Sequence, residues 1–445
     1  MRIPVFKLFT YMLAVPPLLT AQPGPVLELS LKQAIEAALS PEGNARVRLA
    51  QQALQQASSR TAQARAALLP NLDGSVSQQN QTRNLAAFGI RINIPLPGFQ
   101  FPALAGPFNV FDVRASATQT VFDFSAIRRL QSAQTAASAA TREQDAVRDE
   151  VARQVALLYL AALRAQARLD AAQADVDLAQ SLAALAANQK AAGTGTGIEV
   201  TRAAVQLAQA RQQLLIARND LRQSHLELLR AAGLPLEASL RLTTPMDELP
   251  GEPLPLDKAI EAALANRADW KAQQAKQRSA ELAYSAVKFE RLPSLAGFAD
   301  YGSIGSSIHN AIPTRTYGLA MRVPVFDGGR RDARRSESLA QLEMERIRTA
   351  DLRRQIELEI RLALDDLESA AEQVKVAREG LAQVQAELEQ AERRYKAGVA
   401  TSLEVTDAQT RLARARENQI AALFLYNRAR LDLLQATGRI RELAN

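Results

Sequence analysis

Glu404 and Asp407 stand three residues apart, just past a glycine-bearing break in a long helix-like stretch, "RYKAGVATSLEVTDAQ" (Arg394–Gln409). On a helix that spacing puts both carboxylates on one face. If several copies met around a narrow axis, the acids would crowd, attract cations and hold protons more tightly than isolated carboxylates do. Glu404 has a second reading. Thr401-Ser402-Leu403-Glu404 has the form of a capping box, and the helix dipole favours an acid in the first turn. Asp407 lies beyond that box and is the better pore candidate. Thr196-Gly197-Ile198-Glu199 repeats the form, but Arg202 stands where the second acid would be.

Other chemistry is thin. The chain has two histidines, His225 in a helical pattern and His309 between strands, and neither sits in a catalytic or zinc-like spacing; a satisfied surface role is expected for both. "AGTGTG" (Ala192–Gly197) follows a helix rather than a strand and lacks the Lys-Ser/Thr ending of a phosphate loop, so it reads as a turn. There is no cysteine, which removes disulfides, thiolate metal sites and a lipid anchor of the bacterial lipoprotein type. No cofactor, metal or catalytic group is expected, and the protein reads as a non-enzyme. Formal net charge is +7, but the basic residues alternate with acids along helices. That pattern is a solvated surface, not a nucleic-acid footprint.

The first 21 residues read as a secretory signal: Arg2 and Lys7, the apolar run Leu8–Thr20, and a cut after Ala21. No later segment is a continuous apolar run of about 18 residues. A membrane crossing would therefore use strands.

The remainder is written twice, as residues 22–239 and 240–445. "LSLKQAIEAAL" (Leu29–Leu39) recurs as "LPLDKAIEAAL" (Leu254–Leu264), and "KAAGTGTGIEVT" (Lys190–Thr201) as "YKAGVATSLEVT" (Tyr395–Thr406). The Pro-rich segment 240–258 links the halves. Each half reads as short helix, helix, two strands, long helix, turn, long helix. In the long helices one row of large apolar residues and one row of alanines recur every seven positions. Val155, Ala162, Leu169 and Val176 mark the first half, and Ile360, Leu367, Val374, Leu381, Leu388 and Tyr395 the second. A seven-residue period predicts left-handed coiled coils, and the alanine row lets backbones approach closely. Phe124 to Gln189 alone would make a rod of roughly 100 Å at ~1.5 Å per residue. Gly193 and Gly398, 205 positions apart, mark the two tip turns.

Strands are expected near 71–80, 113–124, 294–302 and 316–326. The last alternates most cleanly: Tyr317, Leu319, Met321 and Val323 against Gly318, Ala320 and Arg322. Four strands cannot close a membrane barrel, which needs about eight. Either the sheet is soluble or several chains share one barrel. The long segment 82–111 between the first two strands reads either as an external loop at a pore mouth or as an ordinary loop folded on its neighbour.

The repeat, the tip sequence "RYKAGVATSLEVTDAQTRLARA" and the "VFDGG" exit from a hairpin resemble the TolC-like outer-membrane efflux protein family, from about Leu29 to Gly438. The resemblance implies a mainly α fold with a small β part. Duplicated antiparallel coiled coils would form a periplasmic α-barrel, and a homotrimer would share a 12-stranded transmembrane β-barrel. It implies the outer membrane as location, with its lipid around the barrel. The function implied is a passive exit duct for efflux or type I secretion, worked with a periplasmic adaptor and an inner-membrane pump. It also implies gate roles for Glu404 and Asp407, a hydrogen bond between coils from Tyr395 and Glu199, and adaptor docking at Gly193 and Gly398. Tyr395 falls in a heptad core row, so packing is its other reading. The family's basic partner two residues after the second tip glycine is Ala400 here. A periplasmic coiled-coil adaptor or scaffold without a pore is the alternative.

Overall fold

The computed structural model describes residues 26–89, 103–249, 254–397 and 399–444. The expected signal segment lies outside them. In chain order the elements are β1 (Val26–Leu29), α1 (Leu31–Leu39), α2 (Ala45–Ala66), β2 (Asn71–Asn84), β3 (Leu104–Phe122), α3 (Phe124–Ala191) and α4 (Gly197–Ala232). Then come β4 (Ser239–Leu242), α5 (Leu256–Asn266), α6 (Ala268–Phe289), β5 (Ser294–Gly305), β6 (Ile312–Arg322), α7 (Arg330–Lys396) and α8 (Ser402–Ala436).

The two longest helices, α3 with 68 residues and α7 with 67, each reach about 100 Å. Helix α3 is the spine. It packs against α4 and α8 along its lower part and against α2 and α6 along its upper part, while α7 packs against α6 above and α8 below. Most of the expected heptad positions are buried: Val155, Ala162, Val176, Ala179 and Ala186 on α3, and Ile360, Leu367, Val374, Leu388 and Tyr395 on α7, while Leu169 and Leu381 are only partly buried. Large residues alternate with alanine, so paired helices approach closely without a broad globular interior.

The largest hydrophobic core among the described residues lies midway along the rods. There α1, β1 and the chain's last turn, Ile440–Ala444, wrap α3 around Val151, Val155, Tyr159 and Leu160. β1 and β4 pair in parallel, Val26 beside Ser239 through Leu29 beside Leu242. Segment 240–258, expected to link the halves in a mixed α/β belt around the rods, begins in β4. Arg441 pins the last turn to α3 through Asp145 and Asp149.

The remaining strands form one antiparallel sheet, ordered β2-β3-β5-β6. Its faces are sorted by the two-residue period. Leu72 and Val76 on β2, Val113, Ala115 and Ala117 on β3, Ala299 and Tyr301 on β5, and Tyr317, Leu319 and Met321 on β6 share one side. Asn71, Asp73, Ser75, Ser77, Asp112, Arg114, Ser116, Thr118, Asp300, Thr314 and Thr316 share the other. The apolar side is exposed: Tyr317 is 79% and Leu319 70% accessible. Three expectations need correction, one being the strand expected near 316–326, which spans Ile312–Arg322 and leaves Val323 and Val325 outside it. β2 runs to Asn84 and β3 starts at Leu104, so Pro107, Phe108 and Phe111 are strand residues. The loop within 82–111 is correspondingly shorter, and residues 90–102 of it lie outside the described residues. The expected strand 113–124 also ends at Phe122, because Asp123 caps α3 by accepting the Ala126 amide at 3.1 Å.

Candidate functional site at the helical tips

Both long hairpins reverse at the end of the rods away from the sheet. In the first, the Gly193 amide donates to Lys190 O at 3.1 Å, and the Thr194 and Gly195 amides donate to Gln189 O at 2.9 and 3.0 Å. These bonds use carbonyls that a helix end leaves unpaired. Gly193 adopts φ +76°, the left-handed backbone that lets the chain turn back within one helical turn. In the second hairpin the Ala397 amide reaches Arg393 O and the Val399 amide Arg394 O, both at 3.1 Å. Gly398 itself lies outside the described residues.

The capping assignments from sequence divide differently from expectation. Glu199 is the capping acid: its Oε2 accepts the Thr196 amide at 2.8 Å. Thr401 makes no side-chain cap bond, and Glu404 turns instead toward Arg394, Oε1 to Nη2 at 3.6 Å with both side chains about half exposed. Such a surface pair contributes little. The signal sequence reasoning passed over is Arg394, next to Tyr395 and across the turn from Glu404. Asp407 is exposed, and neither it nor Arg202 has an ion-pair partner among the described residues.

Tyr395 is 6% accessible and packs with Leu388, Ala391, Val405, Ala408 and Leu412, while Leu178, Leu182 and Leu185 of α3 close over this cluster. Packing is therefore realised. The expected hydrogen bond to Glu199 is not: the Tyr395 hydroxyl is enclosed without a partner, and the Glu199 carboxylate is committed to its cap. Burial, and then the negative charge of Glu199, push the Tyr395 phenol above its ordinary range. Both residues line a cleft of about 20 Å³ between the hairpins, with Arg202, Thr406 and Gln409. A space of that size holds one water. His225 departs from its expected satisfied state: its Nε2 is enclosed without a partner, and burial lowers its pKa, which keeps the ring neutral. Among the described residues no group of His and acids could hold a metal, and no helix is long and apolar enough to cross a membrane.

Two rods ending in tight reversals, with a two-faced sheet at the far end, find their match in one family. Its pattern covers residues 38–234 and 259–439, most of the chain. The chain belongs to the outer membrane efflux protein family. Members of this family are outer-membrane channels of efflux systems rather than enzymes, so membership disfavours the pore-less alternative. A curated relative, the outer membrane efflux protein BepC of Brucella suis biovar 1 (strain 1330), is 31% identical over 127 residues. That stretch spans 28% of this chain and 28% of BepC. Among solved structures, the CmeC outer membrane channel of Campylobacter jejuni superposes with a TM-score of 0.79 at 16% identity, over 92% of this chain and 85% of CmeC. The outer membrane protein VceC of Vibrio cholerae gives 0.78 at 19% identity, over 92% and 96%. The open-state MtrE outer membrane channel of Neisseria gonorrhoeae gives 0.77 at 17%, over 92% and 88%. At those identities the efflux-protein fold is what is shared.

Proposed function

We propose that this chain is the outer-membrane exit channel of a tripartite efflux or type I secretion system. In this reading three copies of a duplicated chain, with repeats 22–239 and 240–445, share one 12-stranded barrel. The observation that carries it is the four-stranded sheet, which has one apolar exposed face, one polar face and unpaired outer edges on β2 and β6 among the described residues. Hydrocarbon does not tolerate open edges. Pairing β6 of each copy with β2 of the next removes every edge, turns Leu72, Val113, Tyr317 and Leu319 to lipid and lines the passage with the polar face.

The helices support the same closure. On α7 an exposed apolar stripe, Met344, Ile347, Leu358, Leu362 and Val376, lies within one face at ~100° per residue. Ile198, Val205 and Ile216 form a second stripe on α4, the opposite edge of the rod layer. A neighbouring copy would cover both. Ile347→Asp should cost about 2 kcal/mol at each shared interface through lost burial and a desolvated charge. The expected result is a membrane-targeted chain with most of its crosslinked trimer gone. Fractionation and crosslinking of the wild type test the whole reading: recovery as a soluble monomer overturns it.

At the tip, three copies of Asp407 would face a narrow axis, with Glu404 partly neutralised by Arg394. Asp407 is thus the leading gate acid, and Tyr395 keeps the tip shut through packing. The periplasmic adaptor and inner-membrane pump would engage here, around the turns at Gly193 and Gly398. In planar bilayers, Asp407→Ala should weaken block by multivalent cations about tenfold, as expected when crowded carboxylates are removed from a narrow opening. Block unchanged by the substitution would remove Asp407 from the gate.

A further inference from the structure

The polar face of the sheet carries one built cluster. Arg114 of β3 lies opposite Gly302 of β5, and Gly302 lies opposite Thr314 of β6. A side chain at 302 would fill the space the arginine crosses: a Cβ there would sit 2.9 Å from the Arg114 Cα and 3.0 Å from its Cβ. Through this notch the guanidinium lies along the wall. Nη1 binds the Asp300 carboxylate, and Nη2 reaches Asp112 Oδ2 at 3.3 Å and Thr314 Oγ1 at 3.5 Å. Asp112 Oδ1 is enclosed without a partner. Two carboxylates thus meet one guanidinium. Asp73, which shares this face and pairs with Ser116, adds a further negative charge. Arg322, the other cation on the β6 side of this face, is six residues below Thr316, about 20 Å along the strand.

We infer that the Arg114 cluster sets the charge preference of the barrel passage, its carboxylates giving the preference for cations and Arg114 limiting it. Held flat across three strands and over-neutralised by Asp112 and Asp300, the arginine keeps its bulk out of the lumen and leaves the wall net negative. Cationic solutes are favoured there over anionic ones of equal size. The inference rests on the proposal that the polar face lines a shared barrel.

The chain has no cysteine, so one introduced thiol reports its own surroundings. Thr316→Cys stands opposite Asp300 on the polar face, and Leu319→Cys on the apolar face. Ser116→Cys is a second polar-face reporter. Intact cells are treated from outside with a trimethylammonium-ethyl or a sulfonatoethyl methanethiosulfonate, which avoids the tip. Thr316→Cys should react faster with the cationic reagent. Adding Arg114→Ala should raise the cation-to-anion rate ratio about two- to threefold, the effect of one unit charge nearby in a wet pore. Asp300→Asn should lower it by a similar factor, and Arg114→Lys should leave it near the wild-type value. A purely structural role would not move this ratio in opposite directions. The same ratio in all of these backgrounds overturns the inference while leaving the channel intact. If neither polar-face reporter reacts while Leu319→Cys does, the sidedness of the sheet is wrong, and the barrel reading falls together with the inference.

Discussion

Tyr159→Ala should destabilise the protein by about 4 kcal/mol, measured as loss of helical circular dichroism in a denaturant titration at fixed protein concentration. Tyr159 is fully buried at the centre of the thick core, among Val155, Leu160 and Leu163 of its own helix and the inner faces of α1 and β1. Truncation opens a ring-sized void where the rods are wrapped on one side only by short elements, which limits collapse. The hydroxyl adds a separable part. It donates to Leu29 O at 2.9 Å and accepts the Thr244 amide at 3.2 Å. One atom thus ties β1 and the exit of β4 to α3. Tyr159→Phe keeps the ring and leaves the Thr244 amide short of its acceptor, so about 1 kcal/mol is expected. If the two substitutions cost the same, the hydroxyl and not the ring holds the wrap, and the packing account is wrong.

Very little of this wrap could be read from the sequence. The rods could, because a seven-residue period over about six turns in the first half and about ten in the second leaves one solution, and Val155, Val176, Ile360 and Val374 are buried as expected. β1 and β4 could not. Four residues each, "VLEL" and "SLRL", are too short to display a period, and their partner lies more than 200 residues away. The apolar faces of β3 and β6 were legible because they alternate. The full length of β2 was not, since Gln78–Asn84 is polar on both faces, and polar residues are read as loop unless a neighbouring strand supplies the pairing. At the tip, identical motifs diverged. Thr196/Glu199 forms its cap while Glu404 lies toward Arg394, a difference the shared motif does not show.

Arg267 is the second residue that sequence reading missed, and its loss should cost about 2–3 kcal/mol with a pH signature of its own. It stands where α6 begins above the end of α8, and its side chain is 8% exposed. Nη2 and Nε bind Asp269 at 2.7 and 3.0 Å, and Nη1 binds Glu359 of α7 at 2.5 Å and the Ala436 carbonyl of α8 at 3.4 Å. Removing a buried partner strands the charges it served, at about 3–5 kcal/mol. Asp269 and Glu359 are 38% and 36% exposed, and solvent screens part of that loss. Burial alone would lift the Asp269 carboxyl, but the hydrogen bonds and charge of Arg267 outweigh it and hold the group below its ordinary range. A carboxylate depressed on folding stabilises above its unfolded pKa of about 3.9, and that contribution fades as pH falls through the folded value. In Arg267→Met the burial remains and the counter-charge is gone, so the depression is relieved and the variant loses less stability than the wild type on acidification. The gap between wild type and variant should therefore be widest near neutral pH and narrow below about pH 4. Thermal unfolding across that range checks it. A gap that stays constant with pH would mean Arg267 acts through its packing under the α8 end and not through Asp269.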